Sequence, residues 1–187
     1  MRKILATAAM ATLAAGALAV PASAGAPING TGTLACSATG SAKIKPALTM
    51  AGSGPSATSV KATLSSCAGT GDGATIASGS AKGGSTSTTS TCTGLASGTT
   101  NMTLTTKWKG SVKLNATTVS YTTLTPDLTG TNVAFSLGGS VTAGSFNGEA
   151  VVTAATTGST VADFLAACGG KGVKGFTITG GLSTIGI

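Results

Sequence analysis

Hydrophobic and polar residues alternate along three stretches of the chain, at 43–50, 59–66 and 101–110. A period of two places successive side chains on opposite faces of a strand, so each stretch predicts a half-buried β-strand. The residues predicted to face inward are Ile44, Leu48, Met50, Val60, Ala62, Leu64, Met102, Leu104, Thr106 and Trp108.

Weaker strand patterns occupy much of the remaining chain, and clusters of Gly, Asn and Asp separate most of them. These weaker strands are predicted at 112–116, 119–124, 133–137, 144–153 and 173–179. Short, regularly spaced strands with turn residues between them predict a single all-β domain. We expect an antiparallel β-sandwich, and the alternative is a closed or partly open β-barrel.

The run GGSTSTTSTCTG at 83–94 has two interpretations, a low-complexity linker or a strand. We favour a strand because threonine is a good strand former and because Cys92 lies within the run. Within it, residues 83–88 are the predicted mobile loop.

One segment, STVADFLAAC at 159–168, has a helical pattern instead. Ser159 or Thr160 can cap its N-terminus, and Asp163 stands three residues after Thr160, as in a capping box. The segment predicts a two-turn helix near the C-terminus that packs on the sheet. Its predicted inward side chains are Val161, Phe164, Leu165 and Cys168.

The first 24 residues have the layout of a secretory signal peptide. A basic pair, Arg2 and Lys3, precedes an alanine-rich apolar run and the triplet Ala-Ser-Ala at 22–24. A transmembrane anchor is the alternative, but a spanning helix needs about 20 strongly apolar residues, and Gly16 interrupts this run. We therefore predict a signal peptide over 1–24, a single secreted domain over 25–187 and no membrane span.

Four cysteines, Cys36, Cys67, Cys92 and Cys168, are an even number in a chain that we expect to be exported. Exported cysteines usually form disulfides, and the chain has neither a C-x-x-C pair nor a histidine that would favour a metal or redox site. We expect two disulfides and favour the pairs Cys36–Cys67 and Cys92–Cys168, which close one modest and one long loop. No cofactor and no metal are expected.

Removal of Arg2 and Lys3 leaves 11 − 2 = 9 lysines against 4 acidic residues, a net charge of 9 − 4 = +5. Arginine is then absent and aromatic residues are few, which argues against nucleic acid as a partner. Two period-two pairs, Lys43 with Lys45 and Lys107 with Lys109, would project from one sheet face. They are candidates for contact with an anionic cell-wall polymer or envelope component. The alternative is that they prevent aggregation between sheets.

Candidate catalytic groups are sparse. A Ser-His-Asp triad requires histidine, which the chain lacks, so we expect a non-enzymatic role. Two alternatives from other classes remain. One is a hydrolase that uses Glu149 or Asp127. The other is a carrier of a small apolar ligand, with a pocket or barrel lumen near Trp108, Phe135 and Phe146.

Several stretches carry a resemblance to known exported proteins, namely PASAGA at 21–26, TLSSCAGTG at 63–71, TKWKG at 106–110, GGSVTAGSFNGEA at 138–150 and FLAACGGKGVKGFTITG at 164–180. With them the chain resembles small actinobacterial proteins that have an alanine-rich signal, four cysteines and a Thr/Gly/Ser-rich β-sandwich. Its composition and export are also similar to those of the enediyne-binding apoproteins, which implies a small-ligand cleft. We expect a secreted or cell-wall-associated protein with a binding or structural role at the cell surface.

Overall fold

A computed structural model describes residues 25–52, 54–87, 91–93 and 98–186. The predicted signal peptide, 1–24, therefore lies outside the described residues. No helix within these four ranges is long and apolar enough to cross a membrane.

Eight antiparallel strands and one α-helix form the described fold. The strands are β1 (Leu34–Leu48), β2 (Ser56–Gly69), β3 (Ile76–Ser87), β4 (Gly98–Gly110), β5 (Thr117–Asp127), β6 (Asn132–Ala143), β7 (Ala150–Thr160) and β8 (Val173–Ile185). The helix α1 (Val161–Gly169) separates β7 from β8, and a short 3-10 helix (Gly71–Thr75) separates β2 from β3. The all-β class, the short helix near the C-terminus and the two disulfides are thus confirmed.

The predicted sandwich is wrong, because the sheet closes on itself as an eight-stranded barrel. Each strand pairs with the next one in sequence, and β8 pairs with β1 from Leu34, opposite Ile185, to Leu48, opposite Val173. Closure gives every strand two hydrogen-bonded neighbours and so removes the exposed edges that a sandwich would leave. The inward side chains consequently surround one lumen.

Most of the inward positions predicted from alternation are confirmed. On β4, Met102, Leu104 and Thr106 are buried and Trp108 is half-buried. Met50 is 56% exposed, because β1 ends at Leu48 and the alternation no longer applies beyond it. The predicted strand at 112–116 is only an isolated bridge from Leu114 to Ile28. In the run at 83–94, residues 83–87 belong to β3, whereas 88–90 and 94 lie outside the described residues.

A hydrogen-bonded plug closes the end of the barrel where β2, β4 and β6 finish. Residues 144–149 form a turn rather than the predicted start of a strand, and this turn places Phe146, at φ +62°, beneath the lumen with 1% exposure. The Gly30 amide donates to the Ser145 hydroxyl at 3.0 Å, and that hydroxyl donates to the Asn115 carbonyl at 3.0 Å. Ser145 thus joins the turn at 144–149 to the segments around Gly30 and Asn115 across this end of the barrel.

The helix α1 packs at the opposite end of the barrel. Thr160 is its N-cap, as predicted: the Thr160 hydroxyl accepts from the Asp163 amide at 3.1 Å and donates to the Asp163 carboxylate at 2.8 Å. Phe164 and Cys168 are buried, being four residues apart on one helix face. The prediction for Leu165 is wrong; this side chain is 54% exposed because it lies about 100° around the helix from Phe164.

Two disulfides strengthen the barrel at different places. Cys36 on β1 joins Cys67 on the neighbouring β2, and Cys92 joins Cys168 at the end of α1. These are the pairs that the loop lengths favoured. The second bond fixes α1 to the short described segment at 91–93, so it holds the helix over its end of the barrel.

Candidate functional site, the lumen of the barrel

The barrel encloses a cavity of about 430 Å³ between the plug and the helix end. Small inward side chains create this space, because an alanine fills much less of the lumen than the leucine or phenylalanine that could occupy the same position. The lining alanines come from β1, β2, β3 and β7; they are Ala38, Ala42, Ala62, Ala81 and Ala155. Most of the remaining wall is apolar, with branched side chains from β2, β4 and β8.

Trp108 forms the cavity wall next to the plug. Its indole Nε1 donates to the Thr117 hydroxyl at 2.6 Å, and Thr117 donates to the Ser145 carbonyl at 3.1 Å. The rings of Trp108 and Phe146 pack edge to face, with their centroids 6.2 Å apart. Of the three aromatic residues predicted to surround a pocket, Trp108 and Phe135 line the cavity, whereas Phe146 belongs to the plug behind Trp108.

The other end of the cavity combines aromatic rings with a polar opening. Phe135 and Phe176 contact each other with centroids 5.2 Å apart, and both line the cavity. Thr86, Ser87 and Asn101, at the adjoining ends of β3 and β4, also line it and are exposed. Among the described residues, the polar and exposed part of the cavity wall therefore lies between these strand ends.

Three hydroxyl groups meet in the cavity wall, and we call them the hydroxyl cluster: Tyr121 on β5, Thr153 on β7 and Ser183 on β8. All three residues line the cavity. The Tyr121 hydroxyl lies 2.9 Å from that of Thr153, which donates to Ser183 at 3.0 Å. Burial raises the pKa of Tyr121 above its usual value, although hydrogen bonds to Thr153 and Ser183 partly offset this. The phenol is therefore neutral at physiological pH.

Charged side chains are absent from the lining of this cavity, as far as the described residues show. The candidate hydrolytic acids lie at opposite ends of the barrel, since Asp127 ends β5 and Glu149 precedes β7. Both are exposed. Asp127 accepts from the hydroxyl and amide of Thr129, and these hydrogen bonds lower its pKa. The geometry thus does not bring the two carboxylates together.

Potential metal ligands are also dispersed. Across the ranges that the structure covers, no three His, Cys, Asp or Glu side chains come close enough to hold an ion. All four cysteines are engaged in the two disulfides.

The predicted surface lysines lie outside the lumen, on the outer face of β1–β4. Lys43, Lys45, Lys107 and Lys109 alternate with inward residues and are exposed. Lys61 on β2 and Lys82 on β3 are exposed too, and they are direct cross-strand partners. These six residues define the lysine face. The sequences of β1–β4 contain no acidic residue to neutralise it.

Family models, curated proteins and solved structures contain no match to this chain. The interpretation of the cavity therefore depends on its own residues. Of the inward alanines, only Ala62 is predicted from the sequence, and the hydroxyl cluster is not predicted, although Tyr121 is the chain's single tyrosine and alternates with the inward Val119. That pattern indicates an inward tyrosine but not its partners, because they lie on β7 and β8.

Proposed function

We propose that this protein is a secreted, non-enzymatic carrier that holds a small, uncharged and mainly apolar molecule in its lumen. The observation that carries the proposal is the cavity of about 430 Å³. Sites for small molecules commonly have volumes of about 300–1,000 Å³ and apolar walls with a few polar groups. An eight-stranded barrel is about wide enough to hold one small ligand when its inward side chains do not fill it.

The absence of charge in the described lining supports an uncharged ligand. An ionised group that leaves water for an apolar site loses its hydration, and it needs a charged or hydrogen-bonding partner to compensate. The two disulfides support a site of action in an oxidising compartment, since such bonds persist outside the cytoplasm. The signal peptide and the resemblance to small exported actinobacterial proteins remain predictions from the sequence.

A matched pair of variants tests the carrier proposal. Ala155 on β7 lines the cavity and is 8% exposed, whereas its neighbour Ala154 is exposed on the outer face. Ala155→Leu should fill part of the lumen, while Ala154→Leu adds the same atoms outside. Binding of the neutral fluorescent probe N-phenylnaphthylamine should weaken by about fivefold to a hundredfold in the first variant, because overpacking a site costs roughly 1–3 kcal/mol. The second variant should bind as the unmodified protein does.

A second readout comes from Trp108, the single tryptophan, which lines the cavity. Its emission should change when the probe enters the lumen of the unmodified protein and of Ala154→Leu. Circular dichroism and urea unfolding establish that both variants fold. Equal probe affinity in the two folded variants, or no binding by the unmodified protein, would contradict the carrier function.

The lysine face favours a second function, attachment to an anionic cell-wall polymer. Like charges directly across a pair of strands destabilise a sheet, so the Lys61–Lys82 pair costs stability that a bound anion would recover. Among the described residues, the large exposed apolar side chains that would anchor a protein in a lipid surface lie elsewhere: Ile28, Met50, Leu128, Val152, Leu165 and Leu182. This distribution favours an anionic polymer over a bilayer as the partner.

Retention on isolated cell walls that carry phosphate-rich polymer tests the attachment. The double variant Lys61→Gln/Lys82→Gln should elute at lower salt than the unmodified protein, because each lysine near a polyanion adds electrostatic attraction that salt screens. Lys113→Gln/Lys171→Gln is the control, since it removes the same charge from positions outside the lysine face. Equal elution of the two double variants would contradict the role of the lysine face.

A further inference from the structure

The hydroxyl cluster is a feature of the lumen wall that bears on the chemistry of a ligand. We infer that the ligand carries a neutral oxygen group, a hydroxyl or a carbonyl, which hydrogen-bonds to Tyr121, Thr153 and Ser183 while its apolar body fills the rest of the cavity. This inference rests on the proposed carrier function and adds the chemistry of the ligand to it.

The geometry of the three hydroxyls leaves hydrogen-bonding capacity for a ligand. Each hydroxyl has one proton and two lone pairs. Three hydrogen bonds connect the cluster: one between Tyr121 and Thr153, one from Thr153 to Ser183 and one between Tyr121 and Ser183. These bonds can use all three protons but only three of the six lone pairs, so lone pairs remain for a ligand hydroxyl that donates. A cluster hydroxyl that rotates away from its neighbour can in turn donate to a ligand carbonyl or hydroxyl.

The position of the cluster supports a role in binding. Thr153 and Ser183 are cross-strand partners on β7 and β8, and both are only partly buried. Tyr121 reaches them from β5, across β6, where its register partner is Gly139 and no side chain intervenes at that position. Hydroxyl pairs of this kind add little net stability compared with apolar side chains of the same shape. The three hydroxyls are therefore better explained by selectivity for a ligand than by packing alone.

The same cluster argues against an acidic ligand. A carboxylate could accept from a cluster hydroxyl that rotates away from its neighbour, but no lysine or arginine lines the described cavity to balance its charge. Neutral hydroxyls compensate only part of the hydration that an ionised group loses on burial. We therefore expect the cavity to prefer neutral oxygen compounds over hydrocarbons, and hydrocarbons over their carboxylates.

A matched series of naphthalene derivatives tests this order by equilibrium dialysis against the mature protein. The series consists of naphthalene, naphthol, acetonaphthone and naphthoate, which share one apolar body and differ in the oxygen group. Naphthol and acetonaphthone should bind about fivefold more tightly than naphthalene, a typical gain for one buried hydrogen bond. Naphthoate should bind more weakly than naphthalene. The difference in affinity between naphthol and acetonaphthone also shows whether the cluster prefers a hydroxyl or a carbonyl.

Two variants connect the preference to the cluster. Ser183→Ala and Tyr121→Phe each remove one hydroxyl and keep the shape of the wall nearly unchanged, so the advantage of naphthol over naphthalene should disappear while naphthalene binding persists. Ser120→Ala is the control, because Ser120 precedes Tyr121 on β5 but does not line the cavity. It should retain the full preference.

The outcomes separate the two claims. If naphthalene binds as tightly as naphthol, or if Ser183→Ala and Tyr121→Phe both keep the preference for naphthol, the inferred oxygen group is wrong while the carrier function stands. If no member of the series binds and N-phenylnaphthylamine does not bind either, the carrier function itself fails. A preference that both cluster variants abolish and Ser120→Ala retains supports the inference.

Discussion

The barrel environment changes the pKa of a single residue, Tyr121, and a titration can measure this change directly. In the folded protein, burial raises its pKa above the ordinary value of 10.0, so the folded state holds the phenol proton more tightly than the unfolded chain does. Below pH 10.0, Tyr121 is protonated in both states, so its contribution to the free energy of unfolding does not change with pH. As the pH rises from 10.0 towards the pKa of the folded protein, the free energy of unfolding falls. Tyrosinate absorbance reports Tyr121 alone, because the chain has one tyrosine. Ionisation should require a higher pH in the folded protein than in urea.

The variant Thr153→Val refines the Tyr121 prediction. The hydrogen bond to Thr153 lowers the pKa of Tyr121 and so opposes the effect of burial. Removing that hydroxyl should raise the pKa further. Thr118→Val, on the outer face of the strand that carries Tyr121, should leave the titration unchanged. Identical titration of the folded and urea-unfolded protein would show that Tyr121 is not buried as the structure places it.

At the scale of elements, the N-cap of α1 offers a prediction about the helix end of the barrel. The Thr160 hydroxyl satisfies the Asp163 amide, which otherwise lacks a helical partner. Thr160→Ala should lower the free energy of unfolding by about 1 kcal/mol, the usual cost of a lost N-cap. Thr160→Ser keeps the hydroxyl and should cost much less. Urea unfolding followed by Trp108 emission measures both, and equal losses in the two variants would rule out the cap as the cause.

Elements differ in how well the sequence predicts them. On β4, strict alternation over 101–110 identifies the inward residues because both faces have a clear chemical character. β3 offers no such contrast, since IASGSAKGGSTS consists largely of small residues. It is a strand because β2 and β4 pair with it on both sides, so tertiary pairing decides where local preference is weak. The predicted strand at 144–153 begins too early for the opposite reason. Phe146 is apolar and fits a strand pattern, but it lies in a turn at positive φ.

At the scale of the whole molecule, sandwich and barrel share the same alternation of inward and outward residues. Closure depends on the pairing of β1 with β8, which no local pattern reports. The cavity depends on it too, because Ala42 and Phe176 become cross-strand partners only when these strands meet. The sequence therefore predicts which residues face inward, but not that they surround a space. The same limit applies to the hydroxyl cluster, whose members come from three separate strands.

The two disulfides differ in what they hold, and this difference gives the last prediction. Cys36–Cys67 joins strands that an antiparallel ladder already aligns, whereas Cys92–Cys168 closes 76 residues and fixes α1 to the segment at 91–93. A longer closed loop restricts the unfolded chain more, so Cys92→Ala/Cys168→Ala should lower the free energy of unfolding by about 4 kcal/mol. Cys36→Ala/Cys67→Ala should lower it by somewhat less, roughly 3 kcal/mol.

Urea unfolding of both double variants measures these losses, and probe binding adds a positional test. Cys92 and Cys168 belong to the same buried cluster as Phe176, which lines the cavity towards the helix end. Loss of Cys92–Cys168 should therefore also weaken binding of N-phenylnaphthylamine under conditions where the variant is still folded. A Cys92→Ala/Cys168→Ala protein with unchanged stability and unchanged probe affinity would mean that the helix end is held in place by its apolar contacts alone.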